Sequence, residues 1–356
     1  MARSSTTYSN KWRTGETTVI RVPRAISHKV MNYAIELDVN KFLQCEAESI
    51  YRTAENVELS SPINVAAVPQ RSPFRYPGGK TWLIPYVRSW LKSLPTIPTV
   101  LIEPFAGGGI VGLTAGFERL ANHVVLVEKD DNVASVWGAI FSGQSEWLAN
   151  QIEKFQLTKR NVVEILNRQH TTQRERAFAT ILRNRVQRGG IMAPGAGLVR
   201  NGENGRGLHS RWYPQTLAKR IRCIVALRER FSFSQQDGLE VIEAYMDEEN
   251  AAFFVDPPYT RAAKRLYQHW QIDHKKLFAL LKQVKGHVLI TYDKTEEIEL
   301  LAKQFGFATR SITMKNTHHA RMTELLVSKD LTWLEHAQAS RESTFRIRQA
   351  TLEFPL

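Results

Sequence analysis

From about residue 71 the apolar positions fall into two alternating rhythms. Short apolar runs in Val100-Leu101-Ile102, HVVLVEKD (His123 to Asp130), AAFFVDPPY (Ala251 to Tyr259) and HVLITYD (His287 to Asp293) predict strands buried on both faces. Helical spacing separates them: TWLIPYVRSWLKSL (Thr81 to Leu94), the stretch from Ile110, His274 to Val284, and Glu296 to Phe305. FSFSQ adds a short strand ahead of Asp237, and a final strand pair closes the pattern. Strand and helix alternating in this way predict a doubly wound α/β sheet. The chain carries no internal repeat.

The alternation is interrupted between about residues 150 and 235. Helical patterns run through Leu182, followed by the Gly-, Asn- and Arg-rich stretch RNRVQRGGIMAPGAGLVRNGENGRGLHSRWY. So long a loop inside a compact protein is functional or disordered. The expected organisation is an N-terminal extension (1–70), the first part of the sheet domain (71–150), a mainly helical insert (151–236), the second part of the sheet domain (237–333) and a tail (334–356). Within the extension, Thr17 to Pro23 reads as a short strand and Ser27 to Leu43 as a helix. Together they admit a ribbon-helix-helix-like DNA-binding or dimerising arm; an extension packed on the main domain is the plainer reading.

Charge sharpens this picture. Between Thr158 and Ser232 stand sixteen Lys and Arg against four acids, a net +12 out of the chain's +13. Fourteen of the sixteen are Arg, whose planar fork suits phosphates and guanine edges. The insert is therefore expected to face a polyanion, with Arg183, Arg185, Arg188, Arg200, Arg206 and Arg211 as candidate nucleic-acid contacts. No run of about 18 uncharged apolar residues is present and the N-terminus is polar, so neither a membrane span nor a secretion signal is expected. That implies an intracellular protein. Cys45 and Cys223 form neither a zinc pattern nor a disulfide framework and read as buried small hydrophobes.

Four segments carry chemistry. Asp256-Pro257-Pro258-Tyr259 follows a predicted buried strand, where open α/β sheets bind ligands. The Asp256 carboxylate and the Pro257 carbonyl can each accept one hydrogen of an exocyclic amine, the prolines stiffen the turn, and Tyr259 offers a face for a base. Glu103-Pro104-Phe105-Ala106-Gly107-Gly108-Gly109 places a glycine turn after the first strand, letting a ligand approach the backbone. Its spacing is not GxGxxG, and no phosphate-gripping Lys follows, which favours a ligand without pyrophosphate such as S-adenosylmethionine. Glu103, Phe105, Gly107 and Gly109 are candidate contacts to it. Glu128, at the end of the next strand, is placed to bind ribose hydroxyls, with Asp130 as its rival and a solvated charge as the plain alternative. Tyr76 and Lys80 flank a glycine pair, Lys80 suited to the carboxylate of the cofactor's methionine end. Asp237 either accepts from the cofactor's adenine amine or is a simple turn aspartate.

The ordered trio Phe74-Arg75-Tyr76-Pro77-Gly78-Gly79-Lys80, Glu103 to Gly109 and Asp256 to Tyr259 resembles the Dam-type (D12 class) DNA adenine-N6 methyltransferases from about residue 71 to 330. The resemblance implies a Rossmann-like S-adenosylmethionine-dependent methyltransferase sheet with an inserted, mainly helical target-recognition region. It implies cofactor contacts by Tyr76 and Lys80, ribose binding by Glu128, and Asp256 serving both cofactor pocket and target amine. The adenine would be flipped out of double-stranded DNA onto Tyr259 and methylated in line, with no metal and no covalent enzyme intermediate. In a restriction–modification setting a cognate endonuclease would be a partner, and the cytoplasm, on the nucleoid, the location. Leu182-Arg183-Asn184-Arg185 also follows the family, whereas GGIMAPGAGLVRNGENGRG departs from its NGLxRxNxxGxFNVPFG pattern, which sets the recognition sequence apart. No motif specifies the flanking bases or an oligomeric state.

Rival readings stay within reach of the same residues. Cytosine N4 or adenine in RNA would use the same amine grip. Methylation at cytosine carbon 5 is disfavoured, because neither LQCEA nor IRCIV puts a cysteine after proline. A catalytically inactive DNA-binding protein on this fold is opposed by the intact Asp256, Lys80 and glycines, and a dinucleotide oxidoreductase by the glycine spacing.

Overall fold

A computed structural model describes residues 68–75, 78–192, 196–202, 205–258, 272–315 and 321–335, together with Pro23 and Val30. The expectations for the strand at Thr17 to Pro23, the helix at Ser27 to Leu43, Cys45, and the tail beyond residue 335 lie outside the described residues, apart from Pro23 and a helical Val30.

A 3-10 turn over Lys80–Leu83 leads into α1 (Ile84–Ser93). Then follow β1 (Val100–Glu103), α2 (Ile110–Phe117), β2 (His123–Val127) and α3 (Asp131–Phe141). Four helices cover much of the expected insert or border it: α4 (Ser145–Lys154), α5 (Lys159–Asn167), α6 (Gln173–Val186) and α7 (Pro214–Ala226). The chain continues with β3 (Phe231–Ser234), α8 (Gly238–Tyr245), β4 (Ala251–Val255), α9 (His274–Gln283), β5 (His287–Asp293), α10 (Glu296–Gln304), β6 (Ala308–Lys315) and β7 (Arg321–Ser328). The predicted strand from His123 stops at Val127, and three residues on Asp130 caps α3 by accepting from Asn132 and Val133.

The seven strands form one sheet in the order β3-β2-β1-β4-β5-β7-β6. β1 to β5 are parallel, and β7 runs antiparallel between β5 and β6. This is the Rossmann-like α/β sheet expected from the sequence, with a mainly helical insertion between β2 and β3. β3 falls within the span 151–236 assigned to the insert, yet it is hydrogen-bonded to β2 as the sheet's edge. Alternation along each strand divides the core into two layers. Leu101, Val124, Leu126, Ala252, Phe254 and Leu289 join the cluster shared with the inserted helices. Ile102, Val125, Val127, Phe253, Val255 and Ile290 join the cluster under α8, α9 and α10. Helix crossovers leave β1 and β4 in opposite directions, so the chain reverses its winding between them. Their carboxyl ends open a crevice at that switch point.

The insert is built on the same core. α6 begins with a capping box, Thr172 and Glu175 bonding reciprocally, and packs on α3, while α7 packs on α4. Described residues of the Gly-rich stretch after α6 bond back to the helix end: Gln187 bridges Leu198, and Val199 donates its N–H to Val186 at 2.8 Å. Gly189 and Gly190 turn the chain there with φ of +67° and +74°, a region that suits glycine. Among the described residues no helix is long and apolar enough to cross a membrane.

A buried ion cluster ties the segment ahead of Lys80 to α1 and to the end of α2. Glu118 accepts from Arg71 at 2.9 Å and from Arg88 at 2.6 and 2.7 Å, and Arg71 also lies over the Phe117 ring. Glu118→Ala leaves two buried guanidiniums without their carboxylate, and urea unfolding should register a loss of about 3–5 kcal/mol. A loss well under 1 kcal/mol would show that solvent reaches this cluster.

Candidate active site

The carboxyl ends of β1, β2 and β4 surround one cavity of about 690 Å3, within the ~300–1,000 Å3 usual for small-molecule sites. The described cofactor candidates Lys80, Glu103, Phe105, Gly107, Gly109, Glu128, Asp237 and Asp256 all line it, as does Pro257. Residues separated by up to 177 positions are thus brought together by the fold. Tyr76 and Tyr259 lie outside the described residues.

Asp256 stands at the end of β4. Its Oδ2 is 2.8 Å from Lys80 Nζ, and its Oδ1 accepts from Thr291 Oγ1 at 2.8 Å. Lys80 is buried; its ammonium also lies 3.5 Å from Glu324 and donates to the Gly78 carbonyl at 2.8 Å. Burial by itself would favour a neutral amine, but Asp256 and then Glu324 outweigh it and hold Lys80 above the usual lysine value. The ammonium expected to meet a ligand carboxylate is thus spent on two protein carboxylates. Neither Thr291 nor Glu324 belongs to a motif singled out in the sequence. Their only signal is slight, Thr291 as a hydroxyl inside VLITY of β5 and Glu324 as the one charged residue of MTELLV in β7.

The glycine turn is held open for a ligand. Ala106 donates its N–H to Val127 at 2.9 Å, and the Gly107 carbonyl accepts from Trp137 Nε1 at 2.9 Å. Gly109 has φ +61°, and a Cβ on it would press 2.9 Å from the Trp137 ring. Glu103 is buried, accepting from the Gly112 N–H at 2.7 Å. Burial and the nearby Asp256 and Glu128 push its carboxyl up to about 8 against the pull of Gly112 and Lys80. Glu128 accepts from the N–H of Gly107 at 3.0 Å and of Asp130 at 2.8 Å, and burial raises it to about 7. Of the two rivals at this strand end, Asp130 is consumed as the cap of α3, while Glu128 is fixed against the glycine turn.

Asp237 caps α8 by accepting from Leu239 at 2.9 Å and pairs with Lys129 at 2.6 Å. Burial opposes its charge, but these bonds outweigh it and keep its carboxyl below the usual range. Its bonds are those of a helix-capping aspartate set in the cavity wall. Taken together, the lining sets six acids against four basic residues, of which Lys80 and Lys129 are paired with Asp256 and Asp237, a balance that suits a positively charged ligand.

The arginines separate by burial. Arg188, Arg200 and Arg206 are exposed, and Arg183 and Arg211 are half-buried. Arg185, expected at the nucleic-acid interface, is instead buried, donating to the Pro73 carbonyl. Burial and then the neighbouring Arg220, Arg75 and Arg211 lower its guanidinium from the usual value. The face of α6 that carries it turns toward the segment 72–75, so it cannot meet a duplex. Cys223 is buried in the core, as expected. Met192, just past α6, also lines the cavity.

The chain matches the family of D12 class N6 adenine-specific DNA methyltransferases over residues 76–316. No curated protein sequence matches it. Among solved structures, an rRNA methyltransferase from Streptomyces viridochromogenes is 12% identical, with 77% of this chain and 96% of that chain covered at a TM-score of 0.38. A precorrin-6y C5,15-methyltransferase from Geobacter metallireducens is 6% identical, with 68% and 85% covered at a TM-score of 0.32.

The raised Glu103 links stability to pH. The fold without ligand keeps this carboxyl protonated, and the stability that this contributes is lost as pH rises from the ordinary glutamate range through about 8. Glu103→Gln keeps an acceptor for Gly112 and removes the ionisation. Thermal unfolding of the variant should match the wild type near about pH 5 and exceed it above about pH 8. Parallel pH curves for the two proteins would place Glu103 in a hydrated setting.

Proposed function

The chain belongs to the D12 class N6 adenine-specific DNA methyltransferases, and from that premise we propose that it transfers a methyl group from S-adenosylmethionine to the N6 amine of an adenine in double-stranded DNA. The observation that carries this reading is the placement of Asp256. It faces the glycine turn across a single acid-lined cavity, with both carboxylate oxygens oriented by Lys80 and Thr291.

The residues present fit S-adenosylmethionine. Gly107 and Gly109 line the cavity, where their lack of side chains lets a ligand lie close to the backbone, and Asp256 with Glu128 supplies carboxylates suited to a cation. When bound, this cofactor supplies a methyl group activated on a sulfonium. Glu128 would accept the ribose hydroxyls, and Phe105 and Asp237 would flank the adenine end. Asp256 and the Pro257 carbonyl would each accept one hydrogen of the target amine, turning its lone pair toward the methyl. Lys80 and Thr291 fix that carboxylate before substrate arrives. Catalysis then rests on orientation and on stabilising the charge that develops on the amine. An adenine inside a duplex cannot reach a cavity walled in this way, so the base would be rotated out of the stack and held on Tyr259. The exposed Arg188, Arg200 and Arg206 would grip the phosphates of the duplex.

Expression in a host lacking DNA methylation, followed by mapping of modified bases, should reveal N6-methyladenine at a defined sequence; methylated cytosine instead would overturn the choice of target. Asp256→Ala should abolish incorporation of tritiated methyl into plasmid DNA while retaining DNA on a column. Undiminished turnover in that variant would refute its assigned role. Replacing Arg188, Arg200 and Arg206 with Gln should flatten the dependence of log affinity on log salt by about 0.9 for each phosphate contact removed. An unchanged slope would move the DNA to another face.

A further inference from the structure

The segment before Lys80 is fastened to the insert at three nearby backbone positions. Arg220 of α7 donates to the Ser72 carbonyl at 3.0 Å, and Arg185 of α6 donates to the Pro73 carbonyl. Asn184, fully buried on α6, makes the third attachment with its whole amide. Its Oδ1 accepts the N–H of Arg75 at 2.8 Å, and its Nδ2 donates to the Arg75 carbonyl at 2.9 Å and to the Gly190 carbonyl at 3.0 Å. The side chain thereby pairs with one residue as a neighbouring strand would, while also holding the first turn of the arginine-bearing loop. Gly190 is part of the fit, because a Cβ there would collide with the Arg75 carbonyl.

This junction connects two things that the reaction must coordinate. On one side lies the loop with exposed Arg188, Arg200 and Arg206, whose Met192 already lines the cavity. On the other, five residues past Arg75, lies Lys80, which holds Asp256. A Leu at position 184 would leave three buried backbone groups without partners, and an Asp would lose both donors toward the two carbonyls. Only an amide satisfies one donor and two acceptors at this spacing.

We propose that Asn184 is a positioning residue for methyl transfer, joining the DNA-facing loop to the segment that carries Lys80, so that docking of the target sequence sets the catalytic carboxylate. The proposal rests on the reading of the chain as a DNA methyltransferase. It extends that reading by assigning to one buried amide the dependence of turnover on recognition.

The test compares wild type with Asn184→Asp, using tritiated S-adenosylmethionine and unmethylated plasmid. A displacement of about 1 Å at the reacting groups costs about a hundredfold in rate. The expected result is a fall of about that size in kcat, with the affinity for S-adenosylmethionine in the absence of DNA and the fraction of molecules binding it both unchanged. Wild-type kcat in the variant overturns the proposal. So does a loss of activity matched by an equal loss of cofactor-binding molecules, which marks a purely structural role. A measurement on the unaltered protein is independent of folding in the variant. Hydrogen exchange at the Arg75 amide should slow on adding a duplex that carries the mapped site, and slow less when one recognition base pair is exchanged. Equal protection by both duplexes overturns the coupling. A wild-type protein that leaves plasmid unmodified would remove the underlying functional reading, an outcome distinct from these.

Discussion

The structure turns on one ion pair, the buried Lys80 with the half-buried Asp256. Around Asp256 the cavity wall gathers other acids, at which burial works against ionisation. Here the neighbours Glu103 and Glu128 are themselves raised, to about 8 and about 7, so the cavity is close to the limit of negative charge it can hold. Lys80 concentrates the compensating charge on Asp256, and Thr291 fixes the other oxygen. Such a pair costs desolvation and is a poor means of stabilising a fold. Its value lies in placing an oriented acceptor where an amine has to be gripped.

Much of the surrounding architecture serves to bring that lysine to that aspartate. Glu118 draws Arg71 and Arg88 together behind the segment, and Arg220, Arg185 and Asn184 hold its backbone in front. The sheet supplies the rest: β1 and β4 are adjacent and diverge in their connections, which sets the glycine turn opposite Asp256. Electrostatics then divides the labour. The cavity is acid-lined and favours a small cation, whereas the loop over the insert exposes guanidiniums and favours a polyanion.

The arginines show where composition stops being informative. Arg183, Arg185 and Arg188 stand within six positions on one helix and its end, and their chemistry is identical. Arg185, within α6, is buried against a backbone carbonyl, whereas Arg188, past the end of the helix, stands in solvent. A count of positive charge over the insert therefore includes residues that no duplex can reach.

The sequence by itself determined the parallel sheet, because strands buried on both faces need unbroken apolar runs, and it determined the ligand-facing turns, because glycine and proline act on their own backbone. It marked Lys80, Glu103, Glu128 and Asp256 through local motifs. Tertiary structure alone decided what those residues meet. Thr291 and Glu324 carry no motif, and Lys80 binds protein carboxylates that lie 176 and 244 positions away. It also decided that in the cavity wall Asp130 caps a helix while Glu128 accepts from the glycine turn, and that Asn184 clasps Arg75 across 109 positions. The physical reason is that backbone propensity acts over a few residues, whereas burial and partner choice are set by strand order and helix rotation, which exist only once the chain has folded.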